Sequence, residues 1–294
     1  MNLQYIADSS HLGTVKDILQ KKLHISHHLL TTLKRENGIY KNDKPCLVND
    51  IVTFGDKITV FLDYAEDSHN IVPIPMHLSI LYEDACYIVI NKPSGIPVHP
   101  SHLHYTDSLS NGLCYYFQSQ NLHKKIRPVN RIDKDTSGIV IFAKNAYIQE
   151  CLIEQMKHHD FEKTYIAICE GILEGEGVIN APIARKENSI MERCVCDNGD
   201  VSITHYQSLA TFPEKNYSVI QCQLETGRTH QIRVHMKYIG HPLLGDTLYS
   251  HPSSLIARQA LHSYQVKLIH PITQKQVFYI APLPEDMKKI SQLN

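Results

Sequence analysis

Asp133 stands in a short basic stretch, Arg131-Ile132-Asp133-Lys134-Asp135-Thr136-Ser137-Gly138, that runs straight into the apolar segment Ile139-Val140-Ile141-Phe142. Asp, Thr, Ser and Gly are what any sharp turn uses, because their side chains bond nearby backbone and glycine accepts positive φ. Arg131 and Lys134 beside the acid fit that plain reading poorly. A turn carried by a buried strand is a good mount for a carboxylate that must be accurately placed. Such a carboxylate can attack, accept a proton, or stabilise a developing positive charge.

Two later blocks could complete a site around it. Thr226-Gly227-Arg228-Thr229-His230-Gln231-Ile232-Arg233 follows a strand end at Leu224 and enters a helix. A solvated helix face is the bland reading. Ile232 and Met236 nevertheless share one helical face, with Arg233 at the edge of that stripe. An enclosed guanidinium needs an anion, and Asp133 would be a good bidentate partner that stays ionised beside it. In Glu162 to Gly171, alternation puts Lys163, Tyr165 and Ala167 on one strand face. An aromatic there is usually core. Tyr165 gains interest only beside Asp133, where its ring could stack on a base and its hydroxyl relay a proton.

The elements that must position these groups fall into two parts. Thr14 caps a helix with Val15, Ile18, Leu19 and Leu23 on one stripe, and Ser26 starts a second carrying Leu29, Leu30 and Leu33. Gly38 is expected as its left-handed C-cap, before a turn at Asn42-Asp43 and a strand over 57–62. Residues 1–63 therefore form one module, 64–75 an acidic, proline-bearing linker, and 76–294 a larger domain. Strands are expected at 79–82, 87–91, 139–143, 163–170, 201–209, 217–224, 261–269 and 276–280, with a helix at 146–158. Many hairpin-linked strands and few helices give an α+β fold on a mainly antiparallel sheet.

The bulk numbers narrow the classes. At 294 residues with 43% hydrophobic content, a sizeable core is within reach. No apolar run reaches membrane-spanning length and Met1 to Tyr5 has no signal-peptide pattern, so a cytoplasmic address is expected. Cys194 and Cys196 are one residue too close for a zinc knuckle, and the eight cysteines read as reduced thiols. His24 and His28 have the i, i+4 spacing of a helical metal pair, but a cap at Ser26 would separate them, and no metal is expected. The formal net charge of −1 argues against indiscriminate nucleic-acid binding, so any RNA-binding groups must gather on one face.

The arrangement Asn130-Arg131-Ile132-Asp133 with Thr136-Ser137-Gly138 resembles the signature of RluA-type pseudouridine synthases, which modify uridines in ribosomal and transfer RNA. Asn91-Lys92-Pro93-Ser94-Gly95, Val98-His99-Pro100, Lys163 to Tyr165, Gly227 to Arg233 and His241-Pro242-Leu243-Leu244-Gly245-Asp246 match the same family, as do Leu261-His262 and His270-Pro271. The resemblance spans Met76 to about Pro284. One departure stands out: the family's leading His is Asn130, an amide that can bond the turn or a phosphate but cannot titrate. Residues 1–63 resemble the alpha-L RNA-binding domain, which implies RNA contact by a basic helical face bearing Lys21, Lys22, Lys34 and Arg35.

The resemblance implies a reaction in which ribose leaves a uracil ring nitrogen, the base turns, and the sugar rejoins at carbon 5 of an extruded nucleotide. It makes Asp133 the catalyst, as nucleophile or as base, Arg233 its orienting partner, and Tyr165 a ring packed on uracil that could assist deprotonation at carbon 5. Arg131 would fill the gap left by the flipped base. Lys124, Lys125 and Arg127 would hold neighbouring phosphates, and Arg228, His230 and Gln231 would also face RNA. The reaction is isomeric and redox-neutral, so no metal or organic cofactor is implied. Large-subunit ribosomal RNA is favoured over transfer RNA, and a monomer is expected. Two rivals are a non-catalytic RNA-binding protein and a nucleoside hydrolase; the latter would need paired acids, and Asp135, the nearest second acid, reads as turn structure.

Overall fold

The computed structural model describes residues 1–9, 13–66 and 68–293; residues 10–12 of the expected first module and 67 of the expected linker lie outside it. The N-terminal part holds strands β1 (Asn2–Ile6), β2 (Gly13–Thr14), β3 (Ile39–Lys41), β4 (Lys44–Pro45), β5 (Ile51–Val52) and β6 (Lys57–Phe61). Helices α1 (Val15–Lys21) and α2 (His27–Arg35) lie between them. Both expected caps are present: Thr14 accepts from Asp17 in a reciprocal capping box, and Ser26 accepts from Leu29. Leu19, Leu29 and Leu33 bury their stripes against Ile58 and Val60 of the sheet β1-β6-β3-β4.

The expected C-cap is one residue off. Asn37 takes the left-handed conformation at φ 53, whereas Gly38 is needed for a different reason: a Cβ there would meet the Phe61 carbonyl oxygen at 3.0 Å. Asparagine tolerates the left-handed region better than most residues, which frees the glycine for close strand packing.

The second part begins with β7 (Ile80–Glu83), β8 (Tyr87–Lys92), β9 (Arg127–Pro128), β10 (Ser137–Ala143), β11 (Glu162–Glu170) and β12 (Glu176–Asn180). A hairpin of β13 (Ile183–Arg185) and β14 (Arg193–Val195) follows, then β15 (Ile203–Phe212), β16 (Tyr217–Leu224), β17 (Leu261–Ile269) and β18 (Gln276–Ile280). Helices α3 (Leu109–Ser119), α4 (Ala146–Lys157), α5 (Gln231–Tyr238) and α6 (Glu285–Ser291) flank the sheet. Ten of these strands form one sheet along β12-β15-β16-β11-β17-β10-β8-β7, with β18 on β17 and β9 on β10. The fold is thus α+β on a mainly antiparallel sheet, and β10 with β17 is its parallel pair.

The segment after β6 is packed rather than slack. Ile71 enters the core with Ile88, Leu113 and Phe117. Ser68 Oγ accepts the Ile126 amide and Asn111 Nδ2 donates to the Val72 carbonyl. A row of polar contacts fixes the N-terminal part to this body. Ser26 Oγ donates to Glu150 of α4 at 2.6 Å, Arg127 grips Glu66 with both terminal nitrogens at 2.8 and 2.6 Å, and Lys124 pairs with Asp63. Tyr147 packs against the cores on both sides of the junction.

The parallel pair is short, with Ser137 opposite His262 and Gly138 opposite Ser263. Gly138 has φ 110, and a Cβ on it would sit 2.2 Å from the Ser263 carbonyl oxygen. That crossing sets the end of β10 against β17, whose Ser263 is in turn opposite Tyr165 on β11. Gly138→Ala is expected to cost on the order of 3 kcal/mol or more, because backbone strain and a backbone clash coincide. Thermal unfolding checks this; a melting temperature like that of the unsubstituted chain would show that the two strands can part without harm.

Candidate active site

The Asp133 loop is gripped from its two sides by buried cations. On one side Lys92, wholly buried, directs its ammonium at the carbonyls of Pro93, Ile96 and Lys134, each at 2.8 Å. On the other, Arg258 donates to the Asp135 carbonyl at 3.1 Å and to Ser137 Oγ at 3.4 Å while Asp286 neutralises it. The amide of Thr136 closes a turn on the Asp133 carbonyl at 3.2 Å, and the amide of Gly95 donates to that of Lys134. Neither Lys92 nor Arg258 was singled out from its residue type, since a cation that grips main-chain carbonyls has no partner visible in the sequence.

Asn130 explains the departure from the family signature. Its Nδ2 donates to the Ile139 carbonyl at 3.0 Å and its Oδ1 accepts the Ile141 amide at 2.8 Å. The amide thus mimics a strand partner along β10. It is buried and does not reach toward RNA.

Arg233 does approach Asp133, with NH1 at 3.1 Å from Oδ2, yet the bidentate partner is another acid. Asp246, fully buried, takes Nε and NH2 at 2.7 Å each. This corrects the expectation of a bidentate Asp133–Arg233 pair. Arg233 is 6% exposed, and its guanidinium also lies 5.0 Å from the centre of the Tyr249 ring. Burial alone would disfavour its charge, but Asp246 and Asp133 together hold it above the ordinary arginine range.

Tyr165 lines the same cleft as Asp133, Arg131, Ile132, His230 and Arg233. Its ring packs in the core cluster of Ala167, Ile232 and Leu261. Burial pushes its phenol up to about 12, with the Asp133 charge acting in the same direction and the Ser263 hydroxyl against it. At neutral pH the phenol keeps its proton, so the side chain suits packing and hydrogen-bond donation more than proton abstraction.

The expected RNA-facing residues divide sharply. Arg131 and Lys125 are exposed, as are Arg228, Lys34 and Arg35. Arg228 Nε donates to the Val201 carbonyl, Lys21 pairs with Asp17 at 2.8 Å, and Arg35 with Glu36 at 3.0 Å. Lys22 is partly covered. Three expectations need correction. Arg127 and Lys124 are spent on Glu66 and Asp63 at the junction described above. Gln231, 3% exposed, uses its whole amide internally: Oε1 accepts from Thr226 Oγ1 and the Arg228 amide, while Nε2 donates to the Ile203 carbonyl and Thr204.

One cluster has metal-ligand chemistry among the described residues: Asp84, Cys86 and His270. Nδ1 of His270 accepts the amides of Ile272 and Thr273, so Nε2 carries the proton and donates to Asp84 Oδ2 at 2.8 Å. Asp84 Oδ1 accepts the amides of Cys86 and Tyr87, and burial pushes the Cys86 thiol up to about 12. The imidazole and both carboxylate oxygens are engaged in these bonds, and the group reads as a hydrogen-bonded latch. His24 precedes the Ser26 cap in the left-handed conformation, so it shares no helical face with His28.

The cleft thus brings together a carboxylate with one guanidinium bond, a neutral buried phenol and an exposed arginine. The sequence matches the family described as RNA pseudouridylate synthase over residues 86–238. It is 38% identical over 274 residues to the uncharacterized RNA pseudouridine synthase YhcT of Bacillus subtilis, covering 93% of this chain and 90% of that one. With the ribosomal large subunit pseudouridine synthase D of Neisseria meningitidis serogroup A it shares 36% identity, over 94% of this chain and 77% of the relative. Human RNA pseudouridylate synthase domain containing 1 superposes with a TM-score of 0.57 at 26% identity, covering 71% of this chain and 84% of that one. The chain belongs to the RNA pseudouridine synthase family, and it is an isomerase of uridines in RNA.

The grip of Lys92 makes a specific prediction. Three carbonyls suit the three protons of an ammonium, although burial lowers this group to about 7, with Asp135 pulling the other way. Lys92→Met should reduce kcat/KM by about 10²-fold, the scale of loss when a reacting group is misplaced by about 1 Å. The folded pKa lies below the unfolded value, so between the two the unfolded chain binds the extra proton. Lys92 therefore adds stability as pH rises through that window, and wild type should gain melting temperature over Lys92→Met from pH 7 to 9. Paired melting curves and kinetics at several pH values check both halves.

Proposed function

We propose that this protein converts specific uridines to pseudouridine in large-subunit ribosomal RNA, with Asp133 as the catalytic carboxylate. The observation that carries the assignment of Asp133 is its single bond to Arg233 in a cleft shared with Tyr165. One oxygen is oriented by a fixed charge, and the carboxylate keeps acceptor capacity for the sugar. Positive charge that develops at the anomeric carbon is stabilised beside it, whether Asp133 attacks that carbon or removes a neighbouring proton. A glycosidase would add water with a second acid. Here the leaving base is also the acceptor, and Asp135 is held by its backbone to Arg258 rather than aimed as a partner.

In this reading Arg233 orients Asp133, Tyr165 packs on the extruded uracil, and Arg131 at the rim fills the vacated stack. Lys125, Arg228 and His230 face the RNA. Residues 1–63 act as an RNA-binding domain through Lys21, Lys22, Lys34 and Arg35, residues 64–75 join it, and 76–294 form the catalytic domain. The preference for ribosomal over transfer RNA rests on that N-terminal domain and on relatives named for the ribosomal large subunit. No helix is long and apolar enough to cross a membrane among the described residues. We place the protein in the cytoplasm, as a monomer.

The experiment uses RNA transcripts tritiated at uridine carbon 5, whose release reports rejoining at that carbon. Wild type should release tritium from large-subunit transcripts in preference to transfer RNA, and Asp133→Asn should lower the rate by at least about 10³-fold. Retained release in that variant would remove Asp133 from the chemistry, and free uracil would indicate hydrolysis.

Tyr165→Phe separates packing from proton transfer. Because the buried phenol holds its proton, the variant should lose less than about tenfold in kcat. A loss comparable to that of Asp133→Asn would restore the hydroxyl as a proton carrier.

A further inference from the structure

His230 has a geometry that RNA contact alone does not explain. It lies at the N-cap of α5 in the left-handed conformation, φ 59, and makes no cap bond with its side chain. A non-glycine residue held there stores strain of a kind concentrated at functional sites. Its two ring nitrogens have different fates. Nδ1 is 2.8 Å from the Tyr249 hydroxyl, while Nε2 makes no hydrogen bond among the described residues and lies 3.9 Å from Asp133 Oδ2.

The Tyr249 hydroxyl accepts the backbone amide of Arg193 at 2.8 Å. That leaves the hydroxyl's own proton free to point at His230, and in the tautomer that uses it Nδ1 accepts. A neutral imidazole so constrained carries its remaining hydrogen on Nε2, the nitrogen that faces the cleft. The groups around it are Asp133 on the catalytic loop, Arg233 on α5, Arg193 on β14, and Asp246 with Tyr249 after α5. Burial lowers the imidazole, Arg233 and Arg193 lower it further, and Asp133 with Asp246 oppose them. Burial thus favours the neutral ring, whose N–H stands next to Asp133 with a side-chain exposure of 14%.

We propose that His230 is a catalytic residue whose Nε2–H bonds the uracil carbonyl flanking the glycosidic bond, and that Tyr249 is the positioning residue that fixes its tautomer. The inference rests on Asp133 acting at the sugar. In uridine the ring atom joined to the sugar, N1, is flanked by C6 and by C2 with its oxygen O2. When the bond breaks, its electron pair stays with the base and spreads onto O2 and O4, where an N–H in a dry site is most effective. The sugar carbon is covered by Asp133 or loses a neighbouring proton to it, and His230 keeps its hydrogen throughout.

The same donor serves the second half of the reaction. Uracil has approximate two-fold symmetry about the line from N3 to C6, and a half-turn about it exchanges N1 with C5 and O2 with O4. After that turn C5 faces the sugar and O4 occupies the former place of O2. One fixed N–H beside Asp133 can therefore hold the base before cleavage and after rotation.

The test compares wild type, His230→Leu, His230→Gln and Tyr249→Phe as full chains in single-turnover tritium release. Large-subunit and transfer RNA transcripts are used, made with either uridine or 2-thiouridine labelled at carbon 5. Sulfur is a poor hydrogen-bond acceptor, so the thio transcript should be slow with wild type and its penalty should vanish in His230→Leu. That variant should lose about 10²-fold in kcat with KM within about threefold, and His230→Gln, which keeps a donor, should recover about tenfold of it. Tyr249→Phe should fall between them and show a new acid limb in its pH profile, since Nδ1 is then free to take a proton. The proposal is overturned by a His230→Leu rate within twofold of wild type, by a rise in KM alone, or by a thio penalty that persists in His230→Leu. Should His230→Leu fail to fold, Tyr249→Phe decides, because a pH profile without a new acid limb overturns the proposal. An active Asp133→Asn would instead remove the underlying reading, so the two failures are distinct.

Discussion

A single buried guanidinium shared unequally between two carboxylates is the constraint on which the site depends. Arg233 commits Nε and NH2 to Asp246 and offers only NH1 to Asp133. Burying an arginine without a counter-charge is costly, and a bidentate carboxylate offsets that cost. Were Asp133 that partner, its oxygens would be consumed and its charge spent. With Asp246 in that role, the guanidinium is already stabilised and can orient a second acid through one bond. The expected pair was correct in its members, but the acid that makes it affordable lies thirteen residues beyond the arginine.

The remaining precision comes from the main chain. The Asp133 loop has few apolar side chains to anchor it, so its carbonyls are held instead, by Lys92 at Lys134 and Arg258 at Asp135. Both cations are buried, and both come from strands or loops that pack beside the start of β10. Gly138 then lets β10 touch β17 at its backbone, which brings the loop beside Tyr165 on the next strand over. The geometry at the carboxylate is thus set by hydrogen bonds to backbone and by one missing Cβ.

Much of this was legible in the residues, and the gaps have physical causes. Strands β16, β17 and β18 fall where alternation placed them, at 217–224, 261–269 and 276–280. Helix α4 was found by its apolar stripe, but α3 was not. Ser110, Asn111 and Gly112 of α3 are buried, Gly112 so closely that a Cβ would meet Met76 at 2.9 Å, so polar and small residues occupy the core side and blur the period. Around the site, Asp133, Tyr165 and Arg233 carry recognisable chemistry. Asp246, Lys92, Arg258 and Tyr249 act through partners remote in the chain, and spacing alone cannot reveal them. The same blindness applies to cations assigned to RNA: Arg127 and Lys124 look like a basic patch until their acids at 66 and 63 fold against them.

That last point bears on how a chain with net charge −1 engages a polyanion. Affinity for phosphate scales with the cations that actually displace counterions. Lys92, Arg127, Arg233 and Arg258 are internal, and Lys144 is paired with Glu83 at 2.7 Å. Among the cations that face outward are Arg131 and Arg228 near the cleft, Lys125 close to the junction, and Lys34 and Arg35 on α2. Because Ser26, Arg127 and Lys124 bind the N-terminal part to the body, the outward cations of α2 keep a defined placement relative to the cleft. Phosphate contacts in fixed positions favour recognition of RNA shape over indiscriminate adhesion. In a near-neutral protein several of whose cations serve its own architecture, charge alone is a weak hold on a polyanion, and the placement of the outward cations matters more than their number.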